Sequence, residues 1–528
     1  MPYRIAFLTM VTLFLAGCAG TEPDAPRPNI LFIFSDDHAS AAISAYGAGM
    51  NNTPHIDRLA DEGMLFDNCL VTNSICAPSR ATVLTGKYSH LNGQYTNAET
   101  FDGSQATISK LLKEAGYQTA LIGKWHLKSA PTGFDHYQVL IGQGPYYNPP
   151  IRTASDTTII EGYTTDILTD LTLDWLRDTR DPEKPFLLMY QHKAPHRNWQ
   201  PGPDHLETFS DTEFPLPPTF YDDYRNRSDA PGQANMRVDS NLTAFDLKIT
   251  PPARLNEEQL AAWNAAYEPR NEELRRRFEA GDVTDEEFAF WKFQRYVKDY
   301  LRTVQSVDDG VGRVLDYLDE NGLAENTIVV YTSDQGWYLG EHGWYDKRWM
   351  YEPSLKTPLL VRWPAAVAPG SRSPHMVSNL DFAPTFLDVA GAPIPEDMQG
   401  RSFRTILENG DDPEWRSAFY YHYYEYPASH CVRRHYGVRT ERYKLIHFYE
   451  LGQWELFDLE SDPLEMTSVY GQAEFADIQA DLEARLAELR TAYAVPEDTR
   501  PSGECTMDVT GWQGFAPDGR DLGDAPMP

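Results

Sequence analysis

Cysteine is scarce in this chain of 528 residues. The five cysteines are Cys18, Cys69, Cys76, Cys431 and Cys505. So few cysteines exclude a small scaffold stapled by disulfides. Cys69 is expected in the core. Cys431 and Cys505 remain candidates for a disulfide in an oxidising compartment, because the sequence does not show how close their Cα atoms lie.

Positive charge is also scarce. Lys and Arg number 46 against 78 Asp and Glu, which gives a formal net charge of −32 at pH 7. This balance excludes nucleic acid as a partner and indicates an acidic, solvated surface. An anionic substrate would therefore need a local basic pocket. Such a pocket could act despite the negative net charge, because salt screens the distant surface charges.

The apolar run at the N-terminus, residues 5–15, is too short to span a bilayer. It follows Arg4, as in a signal peptide. Leu15-Ala16-Gly17-Cys18 resembles the bacterial lipobox, in which the cysteine is lipidated. We therefore predict a lipoprotein signal peptide at 1–18, lipidation of Cys18, and a tether at 19–28. These features predict export and a membrane anchor in the periplasm, at the outer membrane or on the surface of a bacterium. An ordinary secretory signal is the alternative.

Four apolar segments have the pattern of strands that are buried on both faces. They cover residues 29–34, 117–123, 186–190 and 327–332. Segments with helical character, including one over 297–321, alternate with them. This alternation predicts an α/β fold with a mostly parallel central sheet sandwiched by helices.

The chain changes character near residue 395. Short aromatic segments at 419–424, 436–439, 443–448 and 454–459 are typical of antiparallel strands, and a helix is expected over 473–492. We predict a catalytic domain at 29–395, a smaller α+β subdomain with an antiparallel sheet at 396–500, and a tail at 501–528. Before these, two helices are expected over 257–266 and 271–280, either as a wall of the substrate cleft or as exposed scaffold.

Polar side chains follow the four apolar strands and are expected to converge, because such folds bind ligands outside the carboxyl ends of their strands. The first set offers hard oxygen donors that suit Ca²⁺, or less well Mg²⁺, and consists of Asp36, Asp37, Asp334 and Gln335. The second set would neutralise a tetrahedral oxyanion and consists of Arg80, Lys124, His126, His196 and Lys347. Singly, each carboxylate is also explained by a cap or turn, and each cation by a solvated surface charge.

Cys76 opens the segment Cys76-Ala77-Pro78-Ser79-Arg80. Proline suits the first turn of a helix, so Cys76 is expected at a helix N-terminus, where negative charge is favoured. A buried structural cysteine is the alternative. A thiolate is a soft ligand that suits a hard cation poorly, so we do not expect Cys76 to act as a thiol.

The Cys76–Arg80 segment and the run to Thr85-Gly86 resemble the signature of the type I sulfatases, in the alkaline-phosphatase-like superfamily. Asp36-Asp37, residues 123–126, 194–196 and 333–336, and Lys347 match the family in the expected order. The resemblance implies that a formylglycine-generating maturation enzyme oxidises Cys76 to formylglycine (3-oxoalanine). It also implies one Ca²⁺ held by Asp36, Asp37, Cys76, Asp334 and Gln335. Gln335 departs from the family, in which Asn is commoner.

The resemblance implies a role for each remaining site residue. The hydrated formylglycine at position 76 would attack sulfur, and His196 or Lys347 would protonate the leaving alcohol. His126, with Lys124, would take the proton that releases sulfate. Arg80 would hold the nucleophile, and Lys124 and Lys347 the sulfate oxygens.

The aromatic stretch at 336–348 is similar to the branch that contains N-acetylglucosamine-6-sulfatases and polysaccharide sulfatases. Within it, His342 and Arg348 are expected to bind substrate. We predict a sulfatase, a sulfuric ester hydrolase that acts on a sulfated carbohydrate in polysaccharide degradation. The alternatives are a phosphonate monoester hydrolase or phosphodiesterase of the same superfamily, and a non-catalytic glycan-binding lipoprotein whose Cys76 is never oxidised.

Overall fold

The computed structural model describes residues 27–505. The predicted signal peptide, Cys18, most of the tether and most of the tail lie outside the described residues. Within 27–505, none of the helices combines the length and apolar character that a membrane span requires. The lipid anchor and the domain boundaries stay predictions.

A large mixed sheet forms the centre of the molecule. Its strands are β1 (Asn29–Ser35), β2 (Met64–Leu70), β3 (Gln118–Lys124), β4 (His136–Leu140), β5 (Pro150–Arg152), β6 (Thr157–Ile159), β7 (Phe186–Gln191), β8 (Thr327–Ser333), β9 (Lys356–Thr357), β10 (Leu359–Arg362) and β11 (Ser371–Ser378). Their order is β11-β2-β10-β8-β1-β7-β3-β4-β5-β6, with β9 beside β2. The central strands β8, β1, β7, β3 and β4 run parallel. The four predicted strands are therefore neighbours, and the predicted α/β fold is confirmed.

Helices cover both faces of this sheet. The α-helices of residues 27–505 are α1 (Pro54–Asp61), α2 (Cys76–Thr85), α3 (Ser89–Asn92), α4 (Ile108–Glu114), α5 (Thr164–Asp174), α6 (Val238–Asn241), α7 (Glu257–Ala280), α8 (Asp285–Glu320), α9 (Glu352–Leu355), α10 (Phe382–Val389), α11 (Arg404–Asn409) and α12 (Ala476–Ala492), of which α12 packs elsewhere, in the C-terminal region. Strand β1 shows how both faces are filled. Phe32 packs with α10 in one core, and its neighbour Ile33 packs with α8 in the other. The continuous apolar run of β1 is required because side chains alternate between the two cores.

Two helix predictions are wrong in their bounds. The pair expected over 257–266 and 271–280 is one helix, α7, with Pro269 inside it. Trp263 and Leu274 are buried on either side of the proline, so packing holds both halves in one helix. Helix α8 begins at Asp285, twelve residues before the predicted start at 297, because Thr284 and Glu287 form a capping box there.

The C-terminal region carries a second, antiparallel sheet. Its strands are β12 (Ala418–Tyr423), β13 (His435–Thr440), β14 (Tyr443–Phe448) and β15 (Gln453–Asp458), in that order. Helix α12 packs on it through Leu482 and Leu486, so the predicted α+β character is confirmed. Cys431 and Cys505 form a disulfide with their Cα atoms 5.7 Å apart. Cys69 and Cys76 are the free cysteines of residues 27–505, and both are buried.

Gly123 is required where β3 approaches β7. Its φ is +113°, and a Cβ at this position would lie 1.8 Å from the backbone oxygen of Gln191. The obstacle is main chain in a central strand, so no side-chain rotation can relieve the clash. Gly123 thus permits the close spacing of the two strand ends that precede Lys124 and His192.

We expect Gly123→Ala to lower the free energy of unfolding by about 3 kcal/mol or more, because two strands would have to separate. Gly452→Ala is the matched control. Its φ is also positive, at +63°, but nothing lies within 4 Å of the added Cβ, so a loss of about 1 kcal/mol is expected. Urea denaturation of both variants measures the difference. Equal losses would show that the close approach of the strands is not what requires glycine.

Candidate active site

The carboxyl ends of four neighbouring strands converge on one edge of the large sheet. The polar residues that follow them are Asp36 and Asp37 after β1, Lys124 at the end of β3, His196 after β7, and Asp334 with Gln335 after β8. Helix α2 enters this edge with Cys76 as its first residue. Ser79 Oγ donates to the backbone oxygen of Asp334 at 2.5 Å, which attaches the first turn of α2 to the end of β8.

Three carboxylates share a small, fully buried space. Oxygens of Asp36, Asp37 and Asp334 lie within 4.8 Å of one another, and the side chains have no exposed surface. Burial raises the pKa of Asp37 to about 6 although Lys347 opposes the shift. Burial and the neighbouring charge of Asp36 raise the pKa of Asp334 well above its ordinary value. So close a group of anions is costly without a cation among them.

The donor set fits a hard divalent cation. Asp36 Oδ1 and Gln335 Oε1 are buried without a hydrogen-bond partner among residues 27–505. The amide nitrogen of Gln335 donates to Asp37 and, at 2.7 Å, to Asp334 Oδ1. A half-turn of this amide would bring its free oxygen to the carboxylates in place of the nitrogen. Carboxylate and amide oxygens are the ligands that Ca²⁺ and Mg²⁺ prefer.

Cys76 lies against this group of oxygens. Its sulfur is 3.4 Å from Lys347 Nζ and 3.9 Å from Gln335 Nε2. The residue is buried, and burial raises the pKa of the thiol above its ordinary value despite the lysine. The unmodified cysteine would therefore stay protonated at neutral pH, which makes it a poor nucleophile and a poor metal ligand.

Arg80 ties the helix to three strand ends. Its guanidinium donates to Asp334 Oδ2 from Nε at 3.2 Å and from Nη2 at 3.0 Å. Nη1 donates to the backbone oxygen of Lys124 at 3.1 Å and to Gln191 Oε1 at 2.9 Å. The fork of donors fixes the relative positions of α2, β3, β7 and β8.

Two lysines neutralise the other carboxylates. Lys124 Nζ pairs with Asp36. Burial alone would raise the pKa of Asp36, but Lys124 together with His196 and Arg80 holds it well below its ordinary value. Lys347 Nζ lies 2.7 Å from both oxygens of Asp37. With Arg80 on Asp334, each of the three buried anions has a cation of its own.

The two predicted histidines differ in their hydrogen bonds. His196 Nδ1 lies 2.7 Å from the backbone oxygen of Arg197, so this nitrogen carries the proton of the neutral ring. Its Nε2 faces Asp37 Oδ2 at 3.7 Å. His126 Nδ1 is buried and has no hydrogen-bond partner in the described part of the chain. Burial lowers the pKa of both imidazoles, so both are neutral at pH 7.

Residues 28–392 match the sulfatase family, and residues 340–492 match a C-terminal family described as N-sulphoglucosamine sulphohydrolase. The first match covers well over half of the chain. The chain is a sulfatase. This sulfatase is accordingly a sulfuric ester hydrolase, as the sequence predicts, and the resemblance to the type I family is confirmed.

Known relatives of this sulfatase cover nearly all of it. An N-acetylglucosamine-6-O-sulfatase of Bacteroides thetaiotaomicron is 47% identical over 92% of this chain and 90% of its own. The human N-acetylglucosamine-6-sulfatase is 28% identical over 77% of this chain and 70% of its own. A solved structure of a protein with its substrate D-glucosamine-2-N,6-O-disulfate is 46% identical and covers 90% of this chain and 100% of that chain, with a TM-score of 0.87.

Two predicted substrate-binding residues lie in different settings. Arg348 is held by Asp346, at 3.0 Å, and by Glu425 Oε2, at 2.5 Å, directly after Lys347. His342 is buried, and its Nδ1 lies 2.8 Å from Asp222 Oδ2. Its ring packs against Trp344 and Tyr351 in the aromatic core. These contacts give His342 a structural place closed to a ligand, so we correct the expectation that it binds substrate.

Three polar residues of this sulfatase were missed in the sequence. Gln191 receives the hydrogen bond of Arg80, and Gln143 Oε1 accepts from Lys124 Nζ at 2.5 Å. Lys193 is 5% exposed, and its ammonium forms no hydrogen bond or ion pair with any described residue. It lies 4.8 Å from the centre of the Tyr146 ring. Gln191 and Lys193 could have been found by the same reasoning that selected the other site residues, because both stand at or just after the end of β7. No local feature of the sequence marks Gln143.

We expect Ca²⁺ to raise the thermal unfolding midpoint of the metal-free protein at pH 7.5, since a ligand present at 100 times its Kd adds about 2.7 kcal/mol. Asp37→Asn should remove most of this gain because it deletes an anionic ligand. Asp211→Asn, an exposed acid, should not.

The affinity for Ca²⁺ should fall as the pH decreases through about 6, because the ion then competes with a proton on Asp37. Isothermal titration calorimetry from pH 5 to 8 measures this dependence. Equal Ca²⁺ affinities for Asp37→Asn and Asp211→Asn would contradict the assignment of the site.

Proposed function

We propose that this sulfatase removes the 6-O-sulfate from N-acetylglucosamine or N-sulfated glucosamine residues of a sulfated polysaccharide. The observation that carries the proposal is the 47% identity to an N-acetylglucosamine-6-O-sulfatase over 92% of the chain. The similar structure that holds D-glucosamine-2-N,6-O-disulfate supports the same sugar. The identity extends over most of the chain, well beyond the nucleophile motif.

In this proposal a maturation enzyme converts Cys76 to formylglycine, and Ca²⁺ is held by Asp36, Asp37, Asp334 and Gln335 together with position 76. The hydrated aldehyde supplies the nucleophile, and the ion supplies positive charge beside it. Two features of the site support a modified residue. Burial keeps the thiol protonated, and a thiol would be a soft neighbour for hard oxygen ligands.

The cations of the chain prepare the site for a sulfate ester. Lys347 Nζ bridges Asp37 and position 76, which holds the nucleophile against the carboxylates. Lys124 projects from β3 between Asp36 and Gln143. Both ammonium groups are fixed by carboxylates before substrate arrives, so they need little reorganisation to stabilise charge that develops on sulfate oxygens.

The two histidines are the proposed proton donor and acceptor. His196 is the proposed acid: its Nδ1 proton is committed to the Arg197 backbone, so the ring would take up a second proton from solvent at Nε2 when the anionic substrate binds, and would deliver that proton to the leaving alcohol. Lys347 is less suitable: burial lowers its pKa, but Asp37 and the other acidic groups around it together raise the pKa well above the ordinary value. His126, neutral and with a free Nδ1, is the proposed base for the second hydroxyl at position 76.

Two further residues would contact the sugar. Arg348 follows Lys347 directly, and its guanidinium is fixed by Asp346 and Glu425, so it is preorganised to bind a sugar hydroxyl or sulfate. Lys193 has no anionic partner among residues 27–505. Burial, with the charge of Lys124, lowers its pKa to about 7. A lysine in this state is costly to the fold and would gain a partner when an anionic substrate binds.

The proposal includes export and lipidation at Cys18, which would place the enzyme at a bacterial membrane facing extracellular polysaccharide. The lipobox-like sequence and the acidic, Pro-containing tether at 19–28 support this location.

The substrate assignment is tested with protein produced alongside a formylglycine-generating enzyme. We expect N-acetylglucosamine-6-sulfate to be desulfated at least 100-fold more efficiently than its 3-sulfated isomer, since a misplaced ester loses the alignment with the nucleophile. Cys76→Ala, checked for folding by thermal unfolding, should be inactive. Release of sulfate is measured by ion chromatography. Comparable rates on both isomers would reject the positional assignment, and faster hydrolysis of a matched phosphonate ester would reject the sulfatase reaction.

Lys193→Met is expected to reduce kcat/KM for the 6-sulfated sugar about 10-fold or more without lowering the thermal unfolding midpoint. The variant removes a positive charge that would attract the substrate, so binding should weaken. The same charge is costly to bury in the free enzyme, so its loss should not destabilise the fold. Lys184→Met, an exposed lysine on the opposite end of β7, is the control. A lower unfolding midpoint with unchanged kinetics would assign Lys193 to the fold instead.

A further inference from the structure

A second basic cavity lies on the outer side of α7 and α8. It has a volume of about 390 Å³ and includes Arg270, Arg295, Lys298 and Arg302 in its wall, with Glu273 as the one acidic residue there. Tyr300 lies two residues from Lys298 and donates to the backbone oxygen of Asp37. Lys298 and Tyr300 therefore project from opposite sides of one turn of α8, Lys298 into the wall of this cavity and Tyr300 toward Asp37.

The positive charges of the cavity are only partly offset. Arg270 pairs with Glu207 at the rim, and Arg302 pairs with the buried Asp299 at 2.8 Å. Arg295 instead donates to two uncharged oxygens, the backbone of Leu247 at 2.9 Å and Asn271 Oδ1 at 3.2 Å. Its guanidinium forms no ion pair with a described residue, and the nearby carboxylate of Asp299 is shared with Arg302 and Lys248.

Lys298 is the second cation of the cavity wall that forms no ion pair with a described residue. It is half-buried, and its ammonium makes no hydrogen bond or ion pair with residues 27–505. Burial lowers its pKa, and the charges of Arg302 and Arg270 lower it further, while Glu213 opposes them. A cluster of like charges that repel one another is ready to bind an anion, because the ligand relieves the repulsion.

We propose that this cavity is a non-catalytic site for a sulfate group on the polysaccharide chain. The proposal rests on the proposed function, which makes a sulfated polymer the anion that the enzyme meets. With a net charge of −32, most of the surface repels such a polymer. A concentration of four cations in one open cavity would offset that repulsion locally and hold a segment of the chain away from the catalytic centre.

The test uses full-length Cys76→Ala protein, which binds without turnover, and a heparin tetrasaccharide that carries N- and 6-O-sulfates. We expect two equivalents to bind, one at each basic site, by native mass spectrometry and calorimetry. Lys298→Glu should weaken the second equivalent at least 10-fold and leave the first unchanged. Lys184→Glu makes the same charge change at an exposed position and should leave both unchanged.

Kinetic measurements on the active enzyme test the cavity separately from the proposed function. In matured protein, Lys298→Glu should keep kcat/KM for N-acetylglucosamine-6-sulfate and raise KM for the sulfated polymer. Loss of the second equivalent in Lys298→Glu would support the cavity even if the enzyme proved inactive on glucosamine sulfates. One equivalent in the Cys76→Ala protein, or equal effects of Lys298→Glu and Lys184→Glu, would overturn the proposal. Inorganic sulfate binding as tightly as the tetrasaccharide would overturn the polysaccharide assignment.

Discussion

The structure depends on a cluster of buried charges at one edge of the central sheet. Asp36, Asp37 and Asp334 lie within 4.8 Å of one another with no access to water. Such an arrangement is unstable unless every anion has a partner. Lys124, Lys347 and Arg80 provide these partners, one for each carboxylate. In the proposed function these same side chains would bind the sulfate ester, so stability and chemistry would use the same contacts.

Several parts of the fold serve this cluster. Parallel strands bring their carboxyl ends to one edge, which places residues distant in sequence side by side. Gly123 allows β3 and β7 to approach closely. The two hydrophobic cores on either side of β1 hold the edge rigid. Preorganised charges are effective because they do not have to move when charge develops on the substrate.

Negative and positive charges lie in different parts of the molecule. The acidic surface keeps the chain solvated, while positive charge is concentrated in the active site and in the cavity beside α8. At physiological salt, surface charges more than about 8 Å away are largely screened. A sulfated polymer would therefore respond mainly to local groups of basic residues, and the proposed second site would hold the polymer while one of its esters reacts.

Much of the active site was predictable because its signals are local. The apolar strands, the polar residues at their ends, and Pro78 within the first turn after Cys76 are all visible in sequence. The central α/β fold and the antiparallel C-terminal sheet followed from the same periodicities. Pro269 was misleading, because the sequence shows a helix breaker while the burial of Trp263 and Leu274 that overrides it exists only in the folded chain.

The remaining features were decided by tertiary structure. Whether Cys431 meets Cys505 depends on the path of the chain between them, because their sequence separation is 74. His342 and Arg348 occupy the same aromatic stretch, yet packing closes one into the core and leaves the other beside Lys347. Lys193 and Lys298 look like ordinary lysines in the sequence. Their significance is the absence of an anionic partner within the described structure, and a pairing between distant residues can be known only when the chain is folded.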